Sequence, residues 1–379
     1  MLHDATNAAI GRPFGRWAQV ADHDWLDWRW QLRNRLTSPA DLAEVLGLDA
    51  ADQQFVASGA AFEVGITPYF ASLCRAGDPL CPLRRQVVPD RAEAVSRTFE
   101  RQDPLGEDPH RRAPGLVHKY PDRVLLLITD RCAAYCRYCT RARWVAGDLE
   151  RLGEDELNVA IDYIARTPQI RDVLISGGDP LLWSSARLRR LLDRLDGIAH
   201  LRWVRIGTRV PVFVPMRIDA ELVEALRPRR LPVYLNVHCN HHAELTPQAV
   251  AALGLLADAG IPLGGQSVLL RGVNDDITTL RETWYAMLGA RVRPYYLFHC
   301  DPITGSSHLR TSVSEGLELM RQAVGFTSGM AVPKYCIDLE GAGKIPLWPE
   351  YVQQFDREWI SGISYAGEPW RYVNRLDPP

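Results

Sequence analysis

VLLLITDRCAAYCRYCTRARW, residues 124–144, decides how the chain is read. An apolar run of strand length, VLLLIT, leads into three cysteines, Cys132, Cys136 and Cys139, spaced C-x3-C-x2-C. Short apolar runs bounded by turn residues fit strands buried on both faces, as in a parallel sheet. Three thiols at such spacing, in a large chain without a secretion signal, fit thiolates gathered on metal better than disulfides. A structural zinc closes on four ligands, and a conventional iron–sulfur cluster also takes four thiolates. Three leave one iron uncovered, open to a substrate or cofactor. The alternative is a zinc site completed by His238, His241 or His242 from NVHCNHH (236–242).

Outward from this stretch, apolar runs alternate with amphipathic segments. DVLIS, RWVRIGT, LPVYLNVH, LGGQSVLL, VRPYYLF and AVPKYCI read as further strands; DELNVAIDYIA, ARLRRLLDRL, DAELVEALR, PQAVAALGLLADAG and TTLRETWYAML read as helices between them. Most strands begin ~30 residues apart, the length of a βα unit. The expected fold is α/β, a parallel sheet forming part of a barrel, because six or seven units are too few for eight. Chemistry in such a barrel gathers where strands end. The cysteines follow VLLLIT, SGGDP (176–180) follows DVLI, and His238 closes LPVYLNVH. Gln266 lies within LGGQSVLL, Asp301 follows YYLFHC, and Lys344 comes shortly after AVPKYCI.

Residues 1–115 read as a helical N-terminal region. Trp25, Trp28, Leu32 and Leu36 fall at helical spacing, and Ser38 before Pro39 reads as a helix cap. The Pro-, Asp- and Arg-rich stretch RQDPLGEDPHRRAPG (101–115) separates this region from the barrel, expected over 116–350, with a short tail at 351–379. The 44 basic and 46 acidic residues give a net charge of −2, so no one-signed field is available to gather nucleic acid or an anionic membrane. MLHDATNAAIGRPFGRW at the start has no apolar signal core, and no run is long enough to cross a bilayer, so the expected location is the cytoplasm. Cys74, Cys81, Cys239, Cys300 and Cys336 are scattered and read as small buried hydrophobes.

Glycines let a backbone approach a ligand closely, which makes SGGDP a candidate ligand loop; alone, it is a turn. Lys344, in GAGKIPL (341–347), is either a solvated lysine or an amine held for imine formation with pyridoxal phosphate. Spacing does not choose between them.

The C-x3-C-x2-C pattern resembles the signature of radical S-adenosylmethionine enzymes, whose 4Fe–4S cluster binds the cofactor's methionyl group at the bare iron. The likeness extends further: HKYPDRVLLLITDRCAAYCRYCTRARW, RIGTRVPVFVPMRI, NVHCNH, GGQSVLLRGVND, RPYYLFHCDP and GAGKIPL, in this order, resemble lysine 2,3-aminomutases over roughly residues 17–350. The resemblance implies a crescent-shaped partial barrel of (β/α)6 type holding the cluster on Cys132, Cys136 and Cys139, S-adenosylmethionine and pyridoxal phosphate. It implies that Ser176, Gly177, Gly178 and Asp179 form the loop at the methionyl amine, and that Gln266 and His238 line the cofactor cavity. Lys344 matches the lysine that carries pyridoxal phosphate, and Lys119, Tyr120 and Arg123 match the stretch near its phosphate and ring. Arg141 matches the arginine on the substrate carboxylate; Asp301 and Asp338 match two carboxylates on the distal ammonium of lysine.

The implied activity is transfer of an amino group from C2 to C3 of a basic L-α-amino acid, lysine before arginine. A lysine-isomerising relative serving a translation factor, and a radical deaminase or dehydrogenase on the same scaffold, are the other enzyme readings. A zinc-stabilised binding module is the non-enzyme one. The departures are Glu340, a possible third carboxylate suited to guanidinium, Phe298 in place of a tyrosine, and the missing C-terminal cysteines, so zinc is not expected. A reductant such as flavodoxin or ferredoxin and a homo-oligomeric assembly are the expected partners.

Overall fold

Every apolar run read in the sequence becomes a strand of one ten-stranded sheet, in a computed structural model that describes residues 11–59, 62–145, 152–227, 229–355 and 358–373. The first ten residues of the chain, where a signal core was sought, and the end of the tail, 374–379, lie outside the described residues. The strands are β1 (Arg111–Ala113), β2 (Leu116–Tyr120), β3 (Arg123–Leu127), β4 (Asp172–Ser176) and β5 (Trp203–Thr208). They continue as β6 (Val233–His238), β7 (Leu263–Leu269), β8 (Arg293–His299), β9 (Lys334–Leu339) and β10 (Gly343–Pro346), in spatial order identical to chain order.

Neighbours from β3 to β9 are parallel. Parallel neighbours need a crossover, and the helices Glu154–Arg166, Ser185–Asp196, Ala220–Leu226, Pro247–Asp258, Ile277–Gly289 and Val313–Ala323 supply one between each successive pair. The result is six βα units followed by a seventh parallel strand, the partial barrel expected from the strand spacing. Its last helix, in TSVSEGLELMRQA, is opened by a Ser312–Glu315 capping box, a signal the sequence reading passed over.

The sheet does not close. β1 and β10 are its edges, both reached through antiparallel pairing. Two side chains of β2 span the gap. Lys119 Nζ donates to Leu339 O at 3.2 Å, and the Lys344 N–H donates to Tyr120 Oη at 3.1 Å.

Side chains alternate along each strand, and one face looks into the opening. Leu174 and Ser176, Arg205 and Gly207, Asn236 and His238, Gln266 and Val268, and Tyr296 and Phe298 all line the same cavity at period two. The alternate residues Val204, Ile206, Leu235 and Val237 are buried in the core under the helices.

The tryptophan stripe of the N-terminal region is two short helices rather than one. Asp27 accepts from the backbone N–H of Arg29 and Trp30, capping a new helix over Trp28–Arg33 and ending the first at Trp25. Leu36 lies beyond that helix and pairs with Ile66 as an isolated bridge. The Ser38 cap is present, reinforced by Asp41. This region shares one core with the barrel, Phe70 meeting Phe213 edge-on at 4.7 Å. Past the barrel, β11 (Val352–Phe355), β12 (Trp359–Ile363) and β13 (Pro369–Val373) form a small antiparallel sheet, and Tyr365 packs edge-on against Phe326 at 5.3 Å. Among the described residues no helix is long and apolar enough to cross a membrane.

Candidate active site

The thiol loop after β3 has little regular structure, so its backbone groups need partners elsewhere. The helical region supplies them. Tyr135 N donates to Gly65 O (3.0 Å), Arg137 N to Gln86 O (2.9 Å) and Arg35 Nη1 to Cys132 O (2.6 Å). Arg137 and Glu93 form a solvent-free fork, Nε to Oε1 at 2.8 Å and Nη2 to Oε2 at 2.5 Å, and Arg137 Nη1 also reaches Glu63 O at 3.0 Å. The three thiols face a cavity of about 270 Å³ shared with Gly177, Gly178, His238 and Gln266. Among the described residues no three His, Cys, Asp or Glu side chains converge where a single metal ion would sit. Burial, reinforced by the neighbouring thiols, holds the Cys132 thiol well above its ordinary pKa and pushes Cys139 to about 11. A metal bound to the thiolates would offset that penalty.

The SGGDP loop lies directly on the thiol loop. Gly178 N donates to Thr129 O (2.6 Å) and Asp179 N to Arg131 O (2.7 Å), and a Cβ on Gly178 would stand 2.2 Å from Arg131 O. The close approach that these glycines allow is to the chain's own backbone. Asp179 is buried, and both its oxygens are engaged by Thr208 Oγ1 (2.7 and 2.9 Å) and by the N–H groups of Leu181, Arg209 and Val210. A ligand at this loop therefore meets backbone groups and Ser176 rather than a free carboxylate.

Arg209, which the sequence reading passed over, stands behind the thiols. Its Nη1 donates to Cys136 Sγ (3.0 Å) and Tyr138 Oη (2.6 Å), and its Nη2 to Gln86 Oε1 (3.0 Å) and Glu244 Oε2 (2.7 Å). Arg209 Nε is buried and unpartnered among the described residues. His238 Nε2 is held between Tyr138 Oη (3.2 Å) and Asn240 Oδ1 (3.1 Å). Burial, then the Arg209 charge, presses the His238 pKa well below its ordinary value, leaving a neutral imidazole at the cavity wall.

Lys344 sits on β10, cross-strand from Asp338 on β9, and not in the glycine turn itself. Its ammonium touches the Asp338 carboxylate and lies 5.4 Å from the Phe298 ring centre. Gly343 takes φ +74°, and a Cβ there would meet Tyr120 Oη at 2.6 Å, so this close crossing requires glycine. Lys119 Nζ reaches Leu105 O (2.7 Å) and Asp338 Oδ1 (3.5 Å). Asp301, two residues past β8, has its pKa raised to about 7, chiefly by burial and then by Asp338. Glu340 is exposed, folded over Gly106, and lines neither cavity; the third carboxylate expected for a guanidinium is outside the site.

A second cavity, about 400 Å³, is lined by Lys119, Tyr120, Arg123 and Arg205. Arg141, Asp338, Lys344 and Tyr296 line both cavities and form the seam between them. All the sequence-predicted site residues thus border one continuous opening, with sulfur on one side and cationic groups on the other. The first holds three thiols beside an orphaned guanidinium Nε; the second holds the Lys344 amine and four further cationic side chains, Lys119, Arg123, Arg141 and Arg205, a donor set that fits a phosphorylated aldehyde.

The Radical SAM superfamily model matches residues 126–282. The chain is 45% identical over 372 residues to the L-lysine 2,3-aminomutase of Clostridium subterminale, covering 96% of this chain and 89% of that one. The chain belongs to the lysine 2,3-aminomutase family. It is also 44% identical over 335 residues to the L-lysine 2,3-aminomutase of Fusobacterium nucleatum, covering 88% and 79% of the two chains. A glutamate 2,3-aminomutase of Clostridioides difficile is 36% identical over 349 residues, 92% and 82% of the two chains. This lysine 2,3-aminomutase family member is accordingly an isomerase-type enzyme, and its radical SAM domain implies a 4Fe–4S cluster and S-adenosylmethionine. Cys132, Cys136 and Cys139, which line the first cavity together, are the residues that would hold such a cluster. Glu107, Glu244 and Arg209 are the site residues that the sequence reading missed. Glu107 and Arg209 sit in loops and Glu244 in a single helical turn, His242–Glu244; the partner of each lies some 30 or more residues away, and no periodicity marks it.

Proposed function

We propose that this aminomutase moves the amino group of a basic L-α-amino acid from C2 to C3, taking lysine before arginine, with pyridoxal phosphate held at Lys344. The observation that carries the reading is the pair Asp301 and Asp338 beside Lys344, in the same cavity as the thiols and with Arg141 at its seam. Two carboxylates in one pocket repel unless a cation lies between them; burial first and then Asp338 raise the Asp301 pKa to about 7. The distal ammonium of lysine satisfies both. A glutamate side chain would add a third negative charge. Arginine ranks second because Glu340 lies outside the cavity.

When bound, pyridoxal phosphate supplies a π-system that spreads an unpaired electron, and S-adenosylmethionine on the reduced cluster supplies the hydrogen-abstracting radical. The chain's own residues position and shield. Arg141 offers a guanidinium fork to the α-carboxylate. Lys119 and Arg123 supply cationic groups for a phosphate. Tyr296, Phe298 and Val268 wall the space where a carbon radical must be kept from water. A one-electron reductant such as flavodoxin or ferredoxin completes the cycle.

The test is an anaerobic assay of the reduced enzyme against the common amino acids, with products identified by mass and NMR. Lysine should yield its 3-amino isomer. Consumption of an acidic or apolar amino acid while lysine and arginine return unchanged would overturn the reading. Lys344→Ala should purify without the pyridoxal absorbance while keeping the iron and sulfide content of the parent.

A further inference from the structure

Glu107 is 5% exposed and lies on the 101–108 loop. Its carboxylate takes the side-on edge of Arg141, accepting from Nε at 3.0 Å (Oε2) and from Nη2 at 2.6 Å (Oε1). Among the described residues no acceptor meets Arg141 Nη1, so the end-on edge of the guanidinium is left for another carboxylate. The loop that carries Glu107 is itself held from every side. Arg143 reaches Asp103 (3.1 Å), Asp108 (3.0 Å) and Gln102 O (3.1 Å). Lys119 donates to Leu105 O at 2.7 Å, and Gly106, at φ +59°, packs under Glu340. Arg101 N donates to Pro302 O at 2.8 Å, next to Asp301.

These bonds make the loop a bracket. Through Glu107 it grips Arg141; through Lys119 it touches Asp338; through Arg101 it adjoins Asp301. We propose that Glu107 is a positioning residue for substrate recognition: it locks the Arg141 guanidinium side-on so that the outward edge presents to the α-carboxylate at a fixed distance from the aspartate pair. The bracket then works as a ruler, measuring an amino acid between its carboxylate and its distal cation. A carboxylate on the Nε edge restrains both the plane and the tilt of the fork, which a packing contact alone does not do. This rests on the reading of Arg141 given above.

The test compares L-lysine with L-lysinamide, which keeps both amines and lacks the carboxylate. The full-length holoenzyme, oxygen-free and without reductant, is titrated with each while the pyridoxal absorbance is followed, so binding is read without turnover. The parent should prefer lysine. Glu107→Gln, which keeps shape but can accept from only one edge nitrogen, should weaken lysine binding about ten- to a hundredfold while leaving lysinamide unchanged; Glu107→Asp should fall between. Equal losses for both ligands, or retained preference in Glu107→Gln, overturn the proposal. Tighter lysine binding in Glu107→Gln also overturns it, by showing that Glu107 competes with substrate. No lysine preference in the parent, or an unaltered preference in Arg141→Ala, would overturn the reading of Arg141 and this inference with it.

Discussion

The two ends of the opening are held by different means. At the sulfur end, an irregular loop is fixed by fully buried charge: Arg137 on Glu93, and Arg209 on Glu244 with further bonds to Gln86 and Tyr138. At the amine end, Lys344 and Asp338 are placed by the register of a two-stranded hairpin, and the lysine side chain is one-third exposed. An irregular loop takes its shape from side chains that cannot leave their partners. A hairpin takes it from its ladder and leaves its side chains free to exchange partners, as the proposed role of Lys344, giving way to a substrate amine, would require.

The contrast predicts a graded set of outcomes. Glu93→Ala strands the buried Arg137 and should lower stability by about 3–5 kcal/mol, read as a fall in the denaturant midpoint with loss of iron binding. Lys344→Ala, by contrast, should shift stability by no more than about 1 kcal/mol, since Asp338 keeps Lys119. Next in size is Gly178→Ala, where the new Cβ meets the Arg131 carbonyl. It should cost about 1–3 kcal/mol and reduce the cluster content measured by iron assay, because the two loops must part.

The pH dependence comes next. Asp301 titrates at about 7, raised by burial and Asp338 and opposed by Lys344, Arg310 and Arg141. The free site holds a proton below that value, and a substrate cation selects the ionised form. KM for lysine should fall about tenfold per unit as pH rises toward 7 and level off above it, a dependence that Asp301→Asn should abolish. The linked stability runs the other way: the folded state holds that proton between the unfolded carboxylate value and 7, so stability from this group declines as pH rises through that window. A modest effect without loss of cofactor is expected at Gly341, φ +78° with open space around it, where alanine should cost about 1–2 kcal/mol and leave cofactor content intact.

The seven parallel strands were legible because each carries a core-facing row of apolar residues and is spaced from the next by about one βα unit, although cavity-facing residues interrupt the run in RWVRIGT and LGGQSVLL. The cysteine spacing and the strand-end positions of His238 and Asp301 followed from the same pattern. Other features had no local signature. The break between Trp25 and Trp28 depends on Asp27 capping a second helix inside an otherwise helical stripe. Lys344 looked like a turn residue because β10 is short and its pairing with β9 is set by Gly343 passing beneath Tyr120. Asp179 was placed in the SGGDP loop by resemblance, and the bond that its carboxylate accepts from Arg209 N after β5 spans 30 residues and has no local signature. The strands of the tail alternate weakly, but the Ser364-to-Glu368 turn between WISGI and PWRYV is a hairpin signal that was available.

The incomplete ring has one more consequence. A ladder of backbone bonds would fix the diameter of a barrel once it formed; here the Tyr120 hydroxyl and the Lys119 ammonium bridge the open edges instead. A clasp of that kind, worth about 1 kcal/mol per bond, opens and recloses by thermal motion. This side of the cavity is therefore held by two side chains, which substitution can remove without breaking a strand ladder. Swapping these two residues is the place to begin widening the enzyme toward larger amino acids.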